Sequence, residues 1–166
     1  VKYMNGRNIW SFVPRTESFD KTGKAPIDSR WVVTNKAFME ERDMDVRARI
    51  VAKDYKGKDK DRDDLFAETP PLEAKRFLLS RAATRRTDGR TRKLMFIDAR
   101  KAHLNPQCEQ DVYIELPEEA NCPPGFCGKL NFWLYGFRPA AAAWEKLYSA
   151  KLVESGFTKG ESCGVV

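Results

Sequence analysis

Two segments in the first third of the chain have the apolar pattern of β-strands. Residues 31–38 are rich in β-branched and aromatic side chains, and residues 47–53 alternate between basic and small or aliphatic ones. This period of two predicts a hairpin across the charged residues 40–45, with one face buried. The inward face would carry the small and aliphatic side chains, Ala48, Ile50 and Ala52. The opposite face would carry the cations, Arg47, Arg49 and Lys53.

Two later segments have the spacing of amphipathic helices. Apolar side chains in residues 73–87 recur at positions i, i+3, i+4 and i+8, which predicts a helix with one buried face. Residues 140–156 repeat this pattern, and Gly156 suits the C-cap. The first buried face would comprise Ala74, Phe77, Leu78 and Ala82. The second would comprise Ala140, Ala143, Trp144, Leu147, Ala150 and Val153.

Shorter patterns complete the prediction. Residues 94–98 are almost wholly apolar and end in Asp98, which predicts a buried strand with a carboxylate at its C-terminal edge. Residues 111–116 form another candidate strand, and residues 129–137 form an apolar, aromatic stretch interrupted by a glycine. The charged residues 54–64 indicate a loop. Glycine and proline interrupt residues 1–26, where we expect a strand or two among loops.

Composition places the chain among folded proteins. Its 166 residues are 42% hydrophobic and 33% charged, which suits one domain or part of a larger one. No stretch approaches the ~20 apolar residues of a membrane helix, so we expect an intracellular protein of the cytoplasm or nucleus, without membrane contact. The four cysteines are separated by 14, 5 and 36 residues, which favours buried free thiols over a disulfide framework or a zinc site.

A cluster of cations follows the first predicted helix, in a chain whose net charge is +6. Cations suit the C-terminal end of a helix dipole, and such a run usually forms a solvated face. Contact with nucleic acid is the alternative, which the sequence leaves open. The cluster consists of Arg81, Arg85, Arg86, Arg90, Arg92 and Lys93.

Five sequence blocks follow one another in a characteristic order. The first joins Trp31-Val32 to R-A-R-I-V-A-K-D at residues 47–54, and the second joins F-A-E-T-P at residues 66–70 to a leucine-rich helix. The others are D-A-R-K-A-H-L-N-P at residues 98–106, D-x-Y-x-x-x-P at residues 111–117, and W-L-Y-G-F-R-P-A-A-A-A-W at residues 133–144. Their order and spacing resemble the reverse transcriptase domain of copia-type LTR retrotransposons.

The resemblance implies an α+β fold with reverse-transcriptase-like fingers and a partial palm, built from an antiparallel sheet and flanking helices. Residues 1–26 would be an N-terminal extension, residues 27–92 the fingers-like region, and residues 93–166 a partial palm truncated before the second carboxylate motif. A sheet left incomplete in this way has unpaired edges. We therefore expect that a protein partner could cover the palm.

The implied activity is RNA-directed DNA polymerisation, with an RNA or DNA template-primer and a dNTP as substrates. Two divalent metal ions, Mg²⁺ or Mn²⁺, activate the primer 3′-hydroxyl and stabilise the leaving pyrophosphate in such reactions. By resemblance Asp98 is the first catalytic, metal-binding carboxylate; a surface or capping aspartate is the alternative. The other two acids of the family lie in a Y-x-D-D hairpin downstream. We therefore expect the chain by itself to be inactive and to bind no metal stably.

The resemblance also assigns seven residues to nucleotide binding. The cations of the second strand would grip the triphosphate, although a solvated strand face is equally compatible with them. His103 stands where the family has the phenylalanine under the nucleotide sugar. The Tyr135-Gly136 pair would lie under the templating base, or form a core aromatic at a strand end. The seven residues are Arg47, Arg49, Lys53, His103, Tyr135, Gly136 and Arg138.

Several positions depart from the family pattern. Asp54 replaces a glycine and adds negative charge beside the supposed phosphate grip. The lysine, glutamine, proline and arginine of the last block are replaced by Arg138, Pro139, Ala141 and Ala142. These departures favour an alternative. The chain would be a binding or structural subunit that derives from a reverse transcriptase and has lost catalysis. The polymerase interpretation requires residues 94–98 to present Asp98 in a cleft that faces residues 47–53.

Overall fold

The computed structural model describes residues 1–35, 45–54, 71–158 and 160. The chain divides into two compact units, each built from two separate stretches of sequence. The first combines Val1–Phe66 with Lys101–Trp144, and the second combines Ala67–Arg100 with Glu145–Val166. The predicted division into an extension, fingers and partial palm follows sequence blocks rather than compact units, and it stays a prediction.

The described elements give a mixed α+β architecture with small antiparallel sheets. The strands are β1 (Trp10–Pro14), β2 (Ser29–Asn35), β3 (Val46–Ala52), β4 (Tyr113–Ile114) and β5 (Phe126–Leu130). The helices are α1 (Lys2–Gly6), α2 (Arg15–Thr22), α3 (Leu72–Ala83) and α4 (Pro139–Glu154), with 3₁₀ turns at Ala102–Leu104 and Glu118–Ala120. None of these helices is long and apolar enough to cross a membrane.

The N-terminal segment contains more helix than expected. One strand, β1, was anticipated in residues 1–26, but α1 and α2 flank it. Pro14 precedes the first residue of α2, and Gly23 ends that helix in the left-handed conformation with φ +67°. Two of the glycines and prolines that were expected to break regular structure therefore mark the ends of a helix instead.

The first unit contains both sheets. β5 lies between β1 and β4 and pairs antiparallel with each of them. β2 and β3 form the predicted antiparallel hairpin, with Trp31 opposite Ile50 and Thr34 opposite Arg47. The predicted turn at residues 40–45 lies outside the described residues, apart from Asp45.

The inward face of β3 was predicted correctly at two of its three positions. Ile50 and Ala52 are buried, whereas Ala48 is exposed. The hairpin packs into the core only at the end nearest Ala52, and Val33 and Val46 at its other end are also exposed. Alternation identifies the face of a strand, but burial also requires a neighbouring surface to cover it.

The core of the first unit joins the hairpin to the sheet. Its largest fully buried side chains include Ile9 beside β1, Ile50 of β3 and Ile114 of β4. The aromatic stretch at residues 129–137 supplies four further buried members, Leu130, Trp133, Leu134 and Phe137. Complete burial of each large apolar side chain contributes about 1.5–3 kcal/mol to stability. The buried side chains on either side of the Tyr135-Gly136 pair therefore anchor this segment in the core.

The described cysteines form no disulfide with one another. Cys127 is buried, and Cys108 and Cys122 are half-buried. Burial raises the pKa of the Cys108 thiol to about 11, which keeps it protonated at neutral pH. This agrees with the expectation of free thiols for the three described positions; Cys163 lies outside the described residues.

Many apolar residues of the second unit are exposed in its described part, and two predictions about them are wrong. The helix predicted at residues 73–87 is present as α3, but Phe77 is 61% exposed and Leu78 is also exposed. Residues 94–98 form no strand, and Phe96 among them is 85% exposed. No described strand lies beside residues 94–98, and an apolar run becomes a strand only when a neighbour pairs with its backbone.

The predicted C-terminal helix is present as α4, and Gly156 follows it with φ +90°. The predicted buried face is only partly buried. Ala140 is completely buried, whereas Ala150 and Val153 are exposed. Helical spacing alone therefore overestimated how much of this face a neighbouring surface covers.

Candidate nucleotide-binding site

The Tyr135-Gly136 turn lies directly against the end of β3. Val51 and Tyr135 form a parallel β-bridge, and the Ala52 amide donates a hydrogen bond to the Tyr135 carbonyl at 2.8 Å. Gly136 has φ +90°, and a Cβ atom there would overlap the Ala52 carbonyl and lie 2.5 Å from Val51 Cγ1. Glycine permits a close backbone approach here, and the backbone it approaches is that of β3. The position of this pair under a templating base stays a prediction.

His103 and Tyr135 form a ring pair beside this turn. His103 lies in the 3₁₀ turn Ala102–Leu104, and the two ring centroids are 5.0 Å apart with the planes tilted by 50°. Burial lowers the pKa of His103, which favours a neutral imidazole. Burial raises the pKa of Tyr135, against an opposing effect of the nearby Arg49 cation. The histidine thus presents a flat, uncharged ring, as the phenylalanine of the family would.

The imidazole also carries an unsatisfied polar atom. His103 Nδ1 is buried and has no hydrogen-bond partner among the described residues. An unpaired buried nitrogen costs about 1–3 kcal/mol. This cost would not arise with phenylalanine at position 103.

Asp54 and Arg138, two departures from the family pattern, contact each other. Asp54 Oδ2 accepts a hydrogen bond from the Arg138 backbone amide at 3.1 Å and lies 3.5 Å from Arg138 Nε. Only 19% of the Asp54 side chain and 22% of the Arg138 side chain are exposed. The carboxylate was expected to lie beside a phosphate grip and weaken it; in the structure it forms an ion pair with Arg138, the residue that precedes α4.

The three cations of the hairpin differ in their surroundings. Arg47 is exposed and lies 3.8 Å from Asp45, and Lys53 lies 3.5 Å from Asp28. Arg49 is half-buried and has no acidic partner in the parts of the hairpin that are described. Of the three cations, Arg49 is therefore the one whose charged group is most available to an anionic ligand.

Asp98 differs from the other seven predicted site residues, because it belongs to the second unit. It is exposed and lies in an irregular segment, which corrects the expectation of a strand edge. No group of three or more His, Cys, Asp or Glu side chains suited to a metal ion occurs among the described residues. A lone exposed carboxylate does not supply a site for paired Mg²⁺ ions, so the described residues do not fit this cofactor.

A concavity of about 270 Å³ lies beside the Asp54–Arg138 pair in the first unit. Its wall includes Asp111, whose pKa is lowered by a hydrogen bond from Lys129 at 2.7 Å. It also includes Tyr113, which donates a hydrogen bond to Glu17 at 2.9 Å. No sequence pattern indicated these contacts, because the partners are far apart along the chain. The Asp54–Arg138 pair did leave a signal, because Asp54 puts a charge where the family has a glycine, while Arg138 keeps the positive charge of the family lysine.

Comparison with known proteins agrees with the sequence blocks. Residues 8–164 match the family described as reverse transcriptase (RNA-dependent DNA polymerase). The chain is 29% identical over 125 residues to a retrovirus-related Pol polyprotein from transposon TNT 1-94 of Nicotiana tabacum. The alignment covers 74% of this chain, which spans about 9% of the length of the polyprotein. No solved structure gives a significant match.

Proposed function

The chain belongs to the copia-type reverse transcriptase (RNA-dependent DNA polymerase) family, and on this premise we propose that it is the nucleotide-handling part of an RNA-directed DNA polymerase. Its fingers and partial palm would bind the incoming dNTP and an RNA or DNA template-primer. The complete polymerase would then transfer the nucleotide to the primer 3′-hydroxyl.

One observation carries this proposal. His103 and Tyr135, which the family blocks assign to nucleotide binding, lie far apart in the sequence and meet through their rings in the first unit. The Tyr135 carbonyl accepts the Ala52 amide, and the Tyr135 ring lies against His103. This arrangement supports a site with a flat ring pair for a base or sugar and Arg49 for phosphate.

Catalysis needs more acids than this site provides. Two-metal phosphoryl transfer requires several oxygen ligands that hold the metal ions about 3.5–4 Å apart. Asp98 is the single carboxylate of these 166 residues that the family pattern assigns to metal. We expect these residues to bind nucleotide or template without extending a primer by themselves.

A primer-extension assay tests the polymerase assignment. With poly(rA)·oligo(dT), dTTP and Mg²⁺ or Mn²⁺, the isolated chain should incorporate no nucleotide above background. The same chain within a Pol polyprotein that supplies the Tyr-x-Asp-Asp hairpin should extend the primer. There Asp98→Asn should reduce extension by at least about 100-fold, whereas Asp20→Asn, on the exposed face of α2, should leave it unchanged. Equal activity of both variants would refute the role of Asp98.

The Asp54–Arg138 ion pair favours a second candidate function. It occupies the guanidinium of Arg138, a position that the resemblance assigns to the nucleotide site, and it joins the segment after β3 to the residue before α4. A binding or structural subunit that has lost catalysis would retain such a contact. In this case the chain within the polyprotein would bind an RNA–DNA hybrid but would not extend a primer.

A further inference from the structure

The end of α3 and the turn after it form a concavity of about 350 Å³ within the second unit. We propose that this concavity binds the phosphate backbone of an RNA–DNA hybrid, independently of base sequence. The inference rests on the proposed function for its partner, but it concerns residues that the family blocks do not assign to any role. The four arginines that line the concavity are Arg81, Arg85, Arg86 and Arg92.

The lining favours an anion. Besides the four arginines it contains Phe77 and three hydroxyl side chains, and none of the lining residues is acidic. Guanidinium groups bind phosphate oxygens in a bidentate manner, and hydroxyl groups can donate further hydrogen bonds to them. Such a set of donors is suited to a polyanion.

The turn after α3 brings Arg92 back to the helix. Gly89 adopts φ +75°, and its amide donates to the Arg86 carbonyl at 3.0 Å. Arg92 then donates to the carbonyls of Arg81 and Thr84 at 3.1 and 3.2 Å. The carbonyl end of a helix by itself repels anions, so the Arg92 guanidinium offsets this repulsion. Because Arg92 is already held in place, little of its conformational freedom remains to be lost on binding.

Arg85 and Arg86 are available to a ligand. Arg85 has no acidic partner within the described part of the chain. Arg86 Nε lies 3.2 Å from Asp88, and both side chains are more than 40% exposed, so this ion pair is weak and a phosphate can compete with it.

The single aromatic ring of the lining argues for recognition of the backbone rather than of bases. The Arg81 guanidinium lies 5.7 Å from the centroid of the Phe77 ring. This contact covers a face on which a base would otherwise stack. The remaining donors are charged or hydroxyl groups, which contact phosphate without regard to sequence.

The test compares two double variants of the full chain with the same loss of charge. Arg85→Gln with Arg86→Gln removes lining cations, whereas Lys75→Gln with Arg76→Gln removes exposed cations of α3 that do not line the concavity. Binding of a fluorescein-labelled RNA–DNA hybrid is measured by anisotropy between 50 and 200 mM KCl. The lining variant should bind about 10-fold more weakly at 50 mM KCl, and its salt slope should fall by about 1–2. The control should change affinity less than about threefold.

Three outcomes would overturn the proposal. Equal losses in both double variants would mean that net charge alone governs binding. A preference above about tenfold between two hybrids of different sequence would mean base recognition. Displacement of the hybrid by less than about 1 mM inorganic phosphate at constant ionic strength, in the parent chain but not in the lining variant, would mean a small-anion site.

Two further measurements keep the result unambiguous. If the lining variant loses its far-UV circular dichroism, Arg85→Gln alone replaces it, with an expected fall in slope of about 0.9 for one phosphate contact. If the polymerase proposal is wrong, the chain within the polyprotein will not extend a primer, but the fall in salt slope of the lining variant will still be observed. Failure of the backbone proposal would leave the slope of the lining variant equal to that of the parent chain.

Discussion

At Gly136, a single missing Cβ atom allows two segments of backbone to meet. We expect Gly136→Ala to lower the free energy of unfolding by about 3 kcal/mol, because the φ of +90° disfavours alanine and the added atom would overlap β3. Chemical denaturation measures this loss.

The matched control is Gly125→Ala. Gly125 also has positive φ, at +80°, but no atom lies within 4 Å of the Cβ that alanine would add. This variant should lose only about 1 kcal/mol. Equal losses in both variants would show that backbone strain, not the contact with β3, makes glycine necessary at position 136.

His103 provides a second prediction, about stability and pH. His103→Phe should raise the free energy of unfolding by about 1 kcal/mol at neutral pH, because it removes the buried Nδ1 that lacks a partner among the described residues. Urea denaturation measures this gain. A loss of stability would mean that an unseen partner satisfies the imidazole.

The same residue should make the stability of the parent chain depend on pH. Burial lowers the pKa of His103 below its ordinary 6.5, so the unfolded state binds more protons as the pH falls below that value. The contribution of His103 to stability is therefore complete above about pH 6.5 and is lost as the pH falls towards the lower pKa of the folded state. The advantage of His103→Phe should be larger at pH 5.5 than at pH 7.5. His103→Gln, which does not titrate, should remove this pH dependence as well.

At the scale of elements, the Asp54 carboxylate joins the residues after β3 to the start of α4. Asp54→Ala should cost about 2 kcal/mol, because it leaves the Arg138 amide without its acceptor as well as breaking the ion pair. Asp54→Asn should cost about half as much, since an amide oxygen can still accept this hydrogen bond. Thermal or urea unfolding measures both losses.

A double-mutant cycle separates the charge from the hydrogen bond. Asp54→Asn combined with Arg138→Gln should give a coupling energy of about 0.5–1.5 kcal/mol. The exposed Asp28–Lys53 pair is a suitable comparison, and Asp28→Asn should cost less than about 0.5 kcal/mol. A coupling energy near zero for the first pair would mean that Asp54 acts on the Arg138 backbone alone.

At the scale of the whole molecule, we predict that divalent metal does not stabilise the isolated chain. A ligand stabilises a protein by RT ln(1 + [L]/Kd), and one exposed carboxylate binds Mg²⁺ only weakly. Addition of 5 mM MgCl₂, or its removal by EDTA, should shift the Tm by less than about 0.5 °C at constant ionic strength. A larger shift that Asp98→Asn abolishes would reveal a metal site in this chain.

The sequence by itself determined the family and part of the local structure. Alternation in residues 47–53 and helical spacing in residues 73–87 and 140–156 predicted β3, α3 and α4, because these patterns depend on neighbours a few positions away. The five blocks identified the family through their order and spacing along the chain, which are properties of the sequence alone. Roles of single residues at the site, and the presentation of Asp98 to β3, stay predictions.

The tertiary structure decided which surfaces meet. Asp54 and Arg138 lie 84 positions apart, so only the tertiary structure shows that these two departures from the family pattern contact each other. Residues 94–98 have the composition of a buried strand, yet they are exposed because no described strand pairs with them. Burial and strand pairing depend on partners that are distant in the sequence, whereas local patterns specify only which face of an element is apolar.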